Sequence, residues 1–62
     1  MIRIYIKTDH ITALKIATQT KTLAINLFFD RASNMYYVNV ATISEMNQIA
    51  DILHQYGLLN GR

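Results

Sequence analysis

The chain has 62 residues, no cysteine, no proline and two glycines, and its six basic and four acidic side chains leave a formal charge of +2. That length allows one domain, residues 1–62, burying only roughly 60% of the surface that the unfolded chain exposes. Disulfides and thiolate metal centres are excluded, a hydrophobic content of 52% argues against disorder, and the charge is neither the basic stripe of a dedicated DNA binder nor the acidic surface of a DNA mimic. A small chain this rich in Ile and Leu carries more apolar surface than one core hides. Self-association as a homodimer is therefore the expected supplement to its stability.

Ile2, Ile4 and Ile6 alternate with Arg3, Tyr5 and Lys7, the period-two pattern of a strand with one buried face. A signal peptide would be continuously apolar there, and no run reaches the roughly 18 residues of a membrane span. A soluble protein of the cytoplasm, with no membrane partner, is expected. Thr8-Asp9-His10 suits a turn. Ile11–Thr20 reads two ways: as a strand with Leu14 and Ile16 inward and Lys15 outward, or as a helix capped by Asp9. Three threonines and two isoleucines favour the strand, with Gln19-Thr20-Lys21 as the hairpin connection after it.

Thr22–Phe29 reads as the next strand, with Leu23, Ile25, Leu27 and Phe29 on one side and Ala24, Asn26 and Phe28 on the other. The turn Asp30-Arg31-Ala32-Ser33-Asn34 leads to Met35–Ala41, where Tyr36, Val38 and Val40 face inward and Met35, Tyr37 and Asn39 outward. So short a connection requires antiparallel pairing. Thr42–Tyr56 is an amphipathic helix. Thr42 with Glu45 makes a capping box, Ala41 and Met46 are placed for a hydrophobic staple, and Gly57 suits a left-handed C-terminal cap with Leu58 as its apolar contact. Its apolar arc, Ile43, Met46, Ile49, Ala50, Ile52, Leu53 and Tyr56, is wider than the roughly 100° that one sheet needs. The Ile52–Tyr56 edge is therefore expected to meet a second molecule. The tail Leu59-Asn60-Gly61-Arg62 is expected to be loose. The fold class is α+β: a small antiparallel sheet of three or four strands with one C-terminal helix packed on one face.

Chemistry-bearing residues are few. Asp51 and His54 stand one turn apart on the polar helix face, and Asp9-His10 adds two more metal-ligand types, but a solvated face and a turn account for all four. Ser33 and Ser44 have no adjacent base, and there is no glycine-rich phosphate loop. No enzyme, cofactor or metal site is expected. The sheet face turned away from the helix is more informative. On the strand reading it displays Arg3, Tyr5, Lys7, Lys15, Asn26, Phe28, Tyr37 and Asn39. Rings mixed with cations suit three uses: a protein interface, a platform for single-stranded bases, or burial in a sheet-to-sheet dimer. The candidate partner-binding residues are Arg3, Tyr5, Lys7, Lys15, Phe28 and Tyr37.

The length, the lack of Cys and of a catalytic cluster, and the strand-then-capped-helix segment Met35-Tyr36-Tyr37-Val38-Asn39-Val40-Ala41-Thr42-Ile43-Ser44-Glu45-Met46 together resemble the small inhibitors encoded by bacteriophages, anti-CRISPR proteins in particular. The segment covers about a fifth of the chain, and this group shares no motif that assigns residue roles. The resemblance implies a non-enzymatic protein that blocks a host protein or ribonucleoprotein complex, such as a Cas nuclease, by occupying a surface. Its basic charge departs from the DNA-mimicking members and points to an acidic protein surface or the guide RNA. A single-stranded nucleic-acid binder is the alternative that the same face implies, and a structural homodimeric subunit is another.

Overall fold

The computed structural model describes residues 1–58; the tail expected to be loose lies outside the described residues. The order of elements is β1 (Ile2–Ile6), α1 (His10–Thr22), β2 (Leu27–Asp30), β3 (Met35–Val40) and α2 (Ile43–Gln55). The sheet has three strands in the order β1-β3-β2, and β3 is antiparallel to both neighbours. β1 and β2 therefore run parallel, with β3 inserted between them, and α1 is the crossover that connects them: a split β-α-β unit followed by a second helix. The α+β class and the small antiparallel sheet stand as read from the sequence. The expectation of one helix does not, because the described residues form two.

The correction concerns Ile11–Thr20, which is helix and not strand. Asp9 is the N-cap, its carboxylate accepting the Thr12 amide at 2.7 Å. The branched residues that favoured a strand are accommodated within the helix. Thr18 Oγ1 donates to the Leu14 carbonyl, Thr20 Oγ1 to that of Ala17, and Thr22 Oγ1 to that of Gln19. These bonds to carbonyls three or four residues back offset part of the rotamer restriction that branching imposes. Ala13, Ile16 and Thr20 form the buried stripe, and Gln19-Thr20-Lys21 lies inside the last turns of the helix instead of forming a hairpin.

The strand expected from Thr22 begins only at Leu27. Thr22 ends α1, and Leu23 to Asn26 carry the chain off the helix, with Ala24 in the left-handed conformation at φ 59°. The Asp30 carboxylate then shapes the turn into β3, accepting from the Ala32 amide and the Ser33 hydroxyl. Asn34 takes the left-handed position there at φ 58°, a conformation that Asn tolerates better than most residues.

The core is one cluster between the sheet and both helices: Ile6, Ile16, Ile25, Val38, Val40, Ile49, Ile52 and Leu53. This arrangement explains the wide apolar arc of α2. The Ile52–Tyr56 edge, expected to meet a second molecule, is covered by α1 of the same chain. Ile52 is buried, and the Tyr56 hydroxyl accepts from Gln19 Nε2 at 2.7 Å. α2 keeps the expected punctuation. Thr42 Oγ1 accepts the Glu45 amide at 3.1 Å, while Glu45 Oε1 accepts the amide of Ala41 at 2.7 Å. None of the described helices is long and apolar enough to cross a membrane.

Candidate functional site

Because α1 and α2 lie on one side of the sheet, its other side is uncovered by the described residues. Alternation assigns the faces: Val38, Val40 and Ile6 point to the core, and Arg3, Tyr5, Phe28, Tyr37 and Asn39 point away from it. Phe28 and Tyr37 thus lie on the side opposite Leu27 and Val38. The register makes Tyr37, on the central strand, the hub. Tyr5 is directly opposite it on β1 and Phe28 directly opposite it on β2.

The hub is a stack. The Phe28 and Tyr37 rings lie 5.3 Å apart at 24°, and the Arg3 guanidinium carbon sits 4.2 Å from the centre of the Tyr37 ring. Phe28 approaches from the β2 side and Arg3 from the β1 side, so both faces of the Tyr37 ring are engaged. Tyr5 packs beside it at 5.8 Å, tilted by 49°. Arg3 is held at two further points, its Nε donating to Asn39 Oδ1 at 3.3 Å and its Nη1 to the Tyr5 hydroxyl at 3.4 Å. The hydrogen bond from Arg3 to Tyr5 raises the guanidinium above its ordinary, already high, pKa. The cation–π contact adds to the fixing. Tyr5 and Phe28 remain 44% and 43% exposed, which is enough ring surface for a partner to cover.

Of the six residues chosen from the sequence, Arg3, Tyr5, Phe28 and Tyr37 come together. Lys7 lies exposed just beyond the end of β1, near but outside the stack. Lys15 does not join them. It sits exposed on α1, in the layer across the sheet, because the segment that was to carry it onto the face is helical. Asn26 precedes β2 and is likewise off the platform.

A second aromatic group, which strand alternation alone does not reveal, lies on the other side of the sheet. On the core side, His10 at the start of α1 meets Phe29 and Tyr36, with ring centres at 6.2 and 5.7 Å, and the Tyr36 hydroxyl hydrogen-bonds His10 Nδ1. These residues stand at the end of an apolar groove of about 400 Å³ lined by His10, Ala13, Leu14, Ala17, Leu27 and Tyr36. The signal that could have revealed it was Asp9 as a cap, which makes His10 the first helical residue. Asp51 lines a separate cleft between the helices, and His54 is exposed. Among the described residues no three or more His, Asp or Glu side chains converge as a metal site would require.

Compared with protein-family models, with curated proteins and with solved structures, the chain matches none. The reading of the open face therefore rests on its own geometry.

Proposed function

We propose that this chain is a non-enzymatic binding protein of the phage-inhibitor kind, which blocks a host protein or ribonucleoprotein complex by seating its open sheet face on it. The observation that carries this reading is the Arg3–Tyr37–Phe28 stack flanked by Tyr5. Tyrosine and arginine are the residues enriched where interfaces gain most of their binding energy. Side chains already fixed by one another lose little further freedom on association, which favours affinity. The Cas nuclease as target follows from the resemblance in form described above.

The same residues bear on the single-stranded nucleic-acid alternative. A base stacks on a free ring face; at the hub Tyr37 is flanked by Arg3 and Phe28, which leaves only the exposed parts of Tyr5 and Phe28 for stacking. This favours a protein surface over bases. Fluorescence anisotropy with short RNA and DNA oligomers at low ionic strength separates the two, with no binding expected.

The decisive assay is target cleavage by a panel of reconstituted Cas nucleases, with and without the purified protein. Inhibition is expected for the cognate nuclease. The double substitution Phe28→Ala/Tyr37→Ala should weaken it at least about thirtyfold while the far-UV circular dichroism stays unchanged. Undiminished inhibition by the folded double variant would refute the face, and no inhibition of any nuclease would refute the target class.

A further inference from the structure

Among the described residues the strand order leaves β1 at one edge of the sheet, hydrogen-bonded only to β3. An edge strand without proline is a template for another strand. The surroundings of this edge are apolar. Met1 and Ile2 are 92% and 46% exposed, and on α2 Ile43 is 70% exposed. Ile43 lies half a turn round the helix from Ile52, which faces α1. Since α1 lies over the β2 side, where Leu14 and Ala17 line a groove with Leu27, the Ile43 flank of α2 overlooks the β1 side. The opposite edge differs: β2 has four residues and runs into the turn fixed by Asp30.

We propose that β1 pairs through this free edge with β1 of a second copy, antiparallel about a two-fold axis at Ile4, so that the two sheets become one of six strands. Charge and side-chain type select that register. Centred on Ile4, the pairing sets Ile2 opposite Ile6 of the other copy, Ile4 opposite Ile4, and Arg3 opposite Tyr5. The core side is then apolar against apolar, and the open side repeats across the interface the arginine–tyrosine contact that Arg3 already makes within the chain. Centring on Arg3 opposes two arginines, and centring on Tyr5 opposes Arg3 to Lys7. Like charges directly opposite destabilise a strand pair. A slip of a single residue sets isoleucines against Arg3 and Tyr5, on the wrong faces. Only the Ile4-centred register uses the whole strand without a like-charge pair, and a two-fold arrangement is the commonest way for identical chains to close.

In the dimer the helices of both copies lie on one side, and the two aromatic faces form a continuous surface on the other. The pairing stands on the β1 edge alone and holds whether or not the face binds a Cas nuclease; its tests read mass and cross-linking, not inhibition.

The chain has no cysteine of its own, so introduced thiols report cleanly. An equimolar mixture of Arg3→Cys and Tyr5→Cys should form mixed disulfide-linked dimers under mild oxidation much faster than either variant alone. Light scattering on the unmodified protein should give the mass of two chains. Tyr5→Arg, at a position already 44% exposed, should weaken association about tenfold, because the two-fold axis doubles the new like-charge pair. A single-chain mass at every concentration overturns the proposal. So does cross-linking that is as fast in either cysteine variant alone, or a Tyr5→Arg protein that associates as tightly as the parent.

Discussion

At the end of α1 the amides of Ala24 and Ile25 turn back to the carbonyls of Lys21 and Thr20, both at 3.0 Å; at the end of α2 the amides of Gly57 and Leu58 do the same to His54 and Leu53, at 3.1 and 3.0 Å. Both are Schellman hooks, each with its turning residue in the left-handed region, at φ 59° for Ala24 and φ 67° for Gly57. After each comes an apolar residue on the core, Ile25 buried and Leu58 partly so. The same geometry is reached once with the residue suited to it and once with a residue that strains. Packing of the residue after the hook, together with the need to satisfy the last carbonyls, is strong enough to impose the conformation on alanine.

If packing imposes the hooks, removing the packing should cost far more than altering a hook. Ile16 on α1 and Ile49 on α2 are each 1% exposed and belong to the same cluster. Ile16→Ala and Ile49→Ala should each cost about 3 kcal/mol by denaturant unfolding, since each leaves a cavity in a close-packed core. Near-equal losses mean that both helices belong to one cooperative unit. A cost below about 1 kcal/mol for Ile16→Ala would mean that α1 is loosely docked, and the explanation of its strained hook would fail.

Next in size is Gly57→Ala. A Cβ at this position meets nothing within 4 Å, so the penalty is the strain of the left-handed backbone, offset in part by the freedom that alanine removes from the unfolded chain. It should be about 1 kcal/mol. The reciprocal substitution sharpens the contrast. Ala24→Gly relieves the strain but gives the unfolded chain more freedom to lose, leaving a net gain of about 0.5 kcal/mol by thermal unfolding. A loss of stability in Ala24→Gly would show that the Ala24 methyl contributes more than its backbone costs.

This contrast also explains what could be read in the sequence. Around α2 the residue types and the geometry agree: Thr42, Glu45 and Gly57 each mark the position they occupy, and the helix was legible. Around α1 the stop is an alanine, which marks nothing, and the threonines that argue for a strand make their bonds within the helix. With no visible stop, the alternation of the strand that begins at Leu27 reads on backwards to Thr22. The open face was legible for a simpler reason. Strand alternation is local, so β1, β2 and β3 each sorted their own residues correctly, and Arg3, Tyr5, Phe28 and Tyr37 met without the tertiary order being known. Lys15 failed because its placement depended on the misread segment. The position of β3 between β1 and β2 was not legible either, since it follows from α1 acting as a crossover.

The two helix starts differ in the same spirit as the two ends, and here the smallest effect is expected. α1 is capped by a carboxylate and α2 by a hydroxyl, so of the two N-cap side chains only the first can titrate. The Thr12 backbone amide, donating to Asp9, holds that carboxyl below the usual carboxylate range. In the unfolded chain the bond is absent and the ordinary value returns. A carboxyl lowered by folding stabilises the fold fully above its unfolded value and loses that contribution as pH falls through its lowered, folded value. Acid should therefore loosen α1 at its first turn. Asp9→Asn retains a capping oxygen but carries no charge. Comparing the two proteins by thermal unfolding across the acid range cancels the other carboxylates, which both share. The parent should gain on the variant as pH rises through the carboxylate range and hold that gain to neutrality. Parallel curves would mean that the Asp9 cap is no stronger charged than neutral.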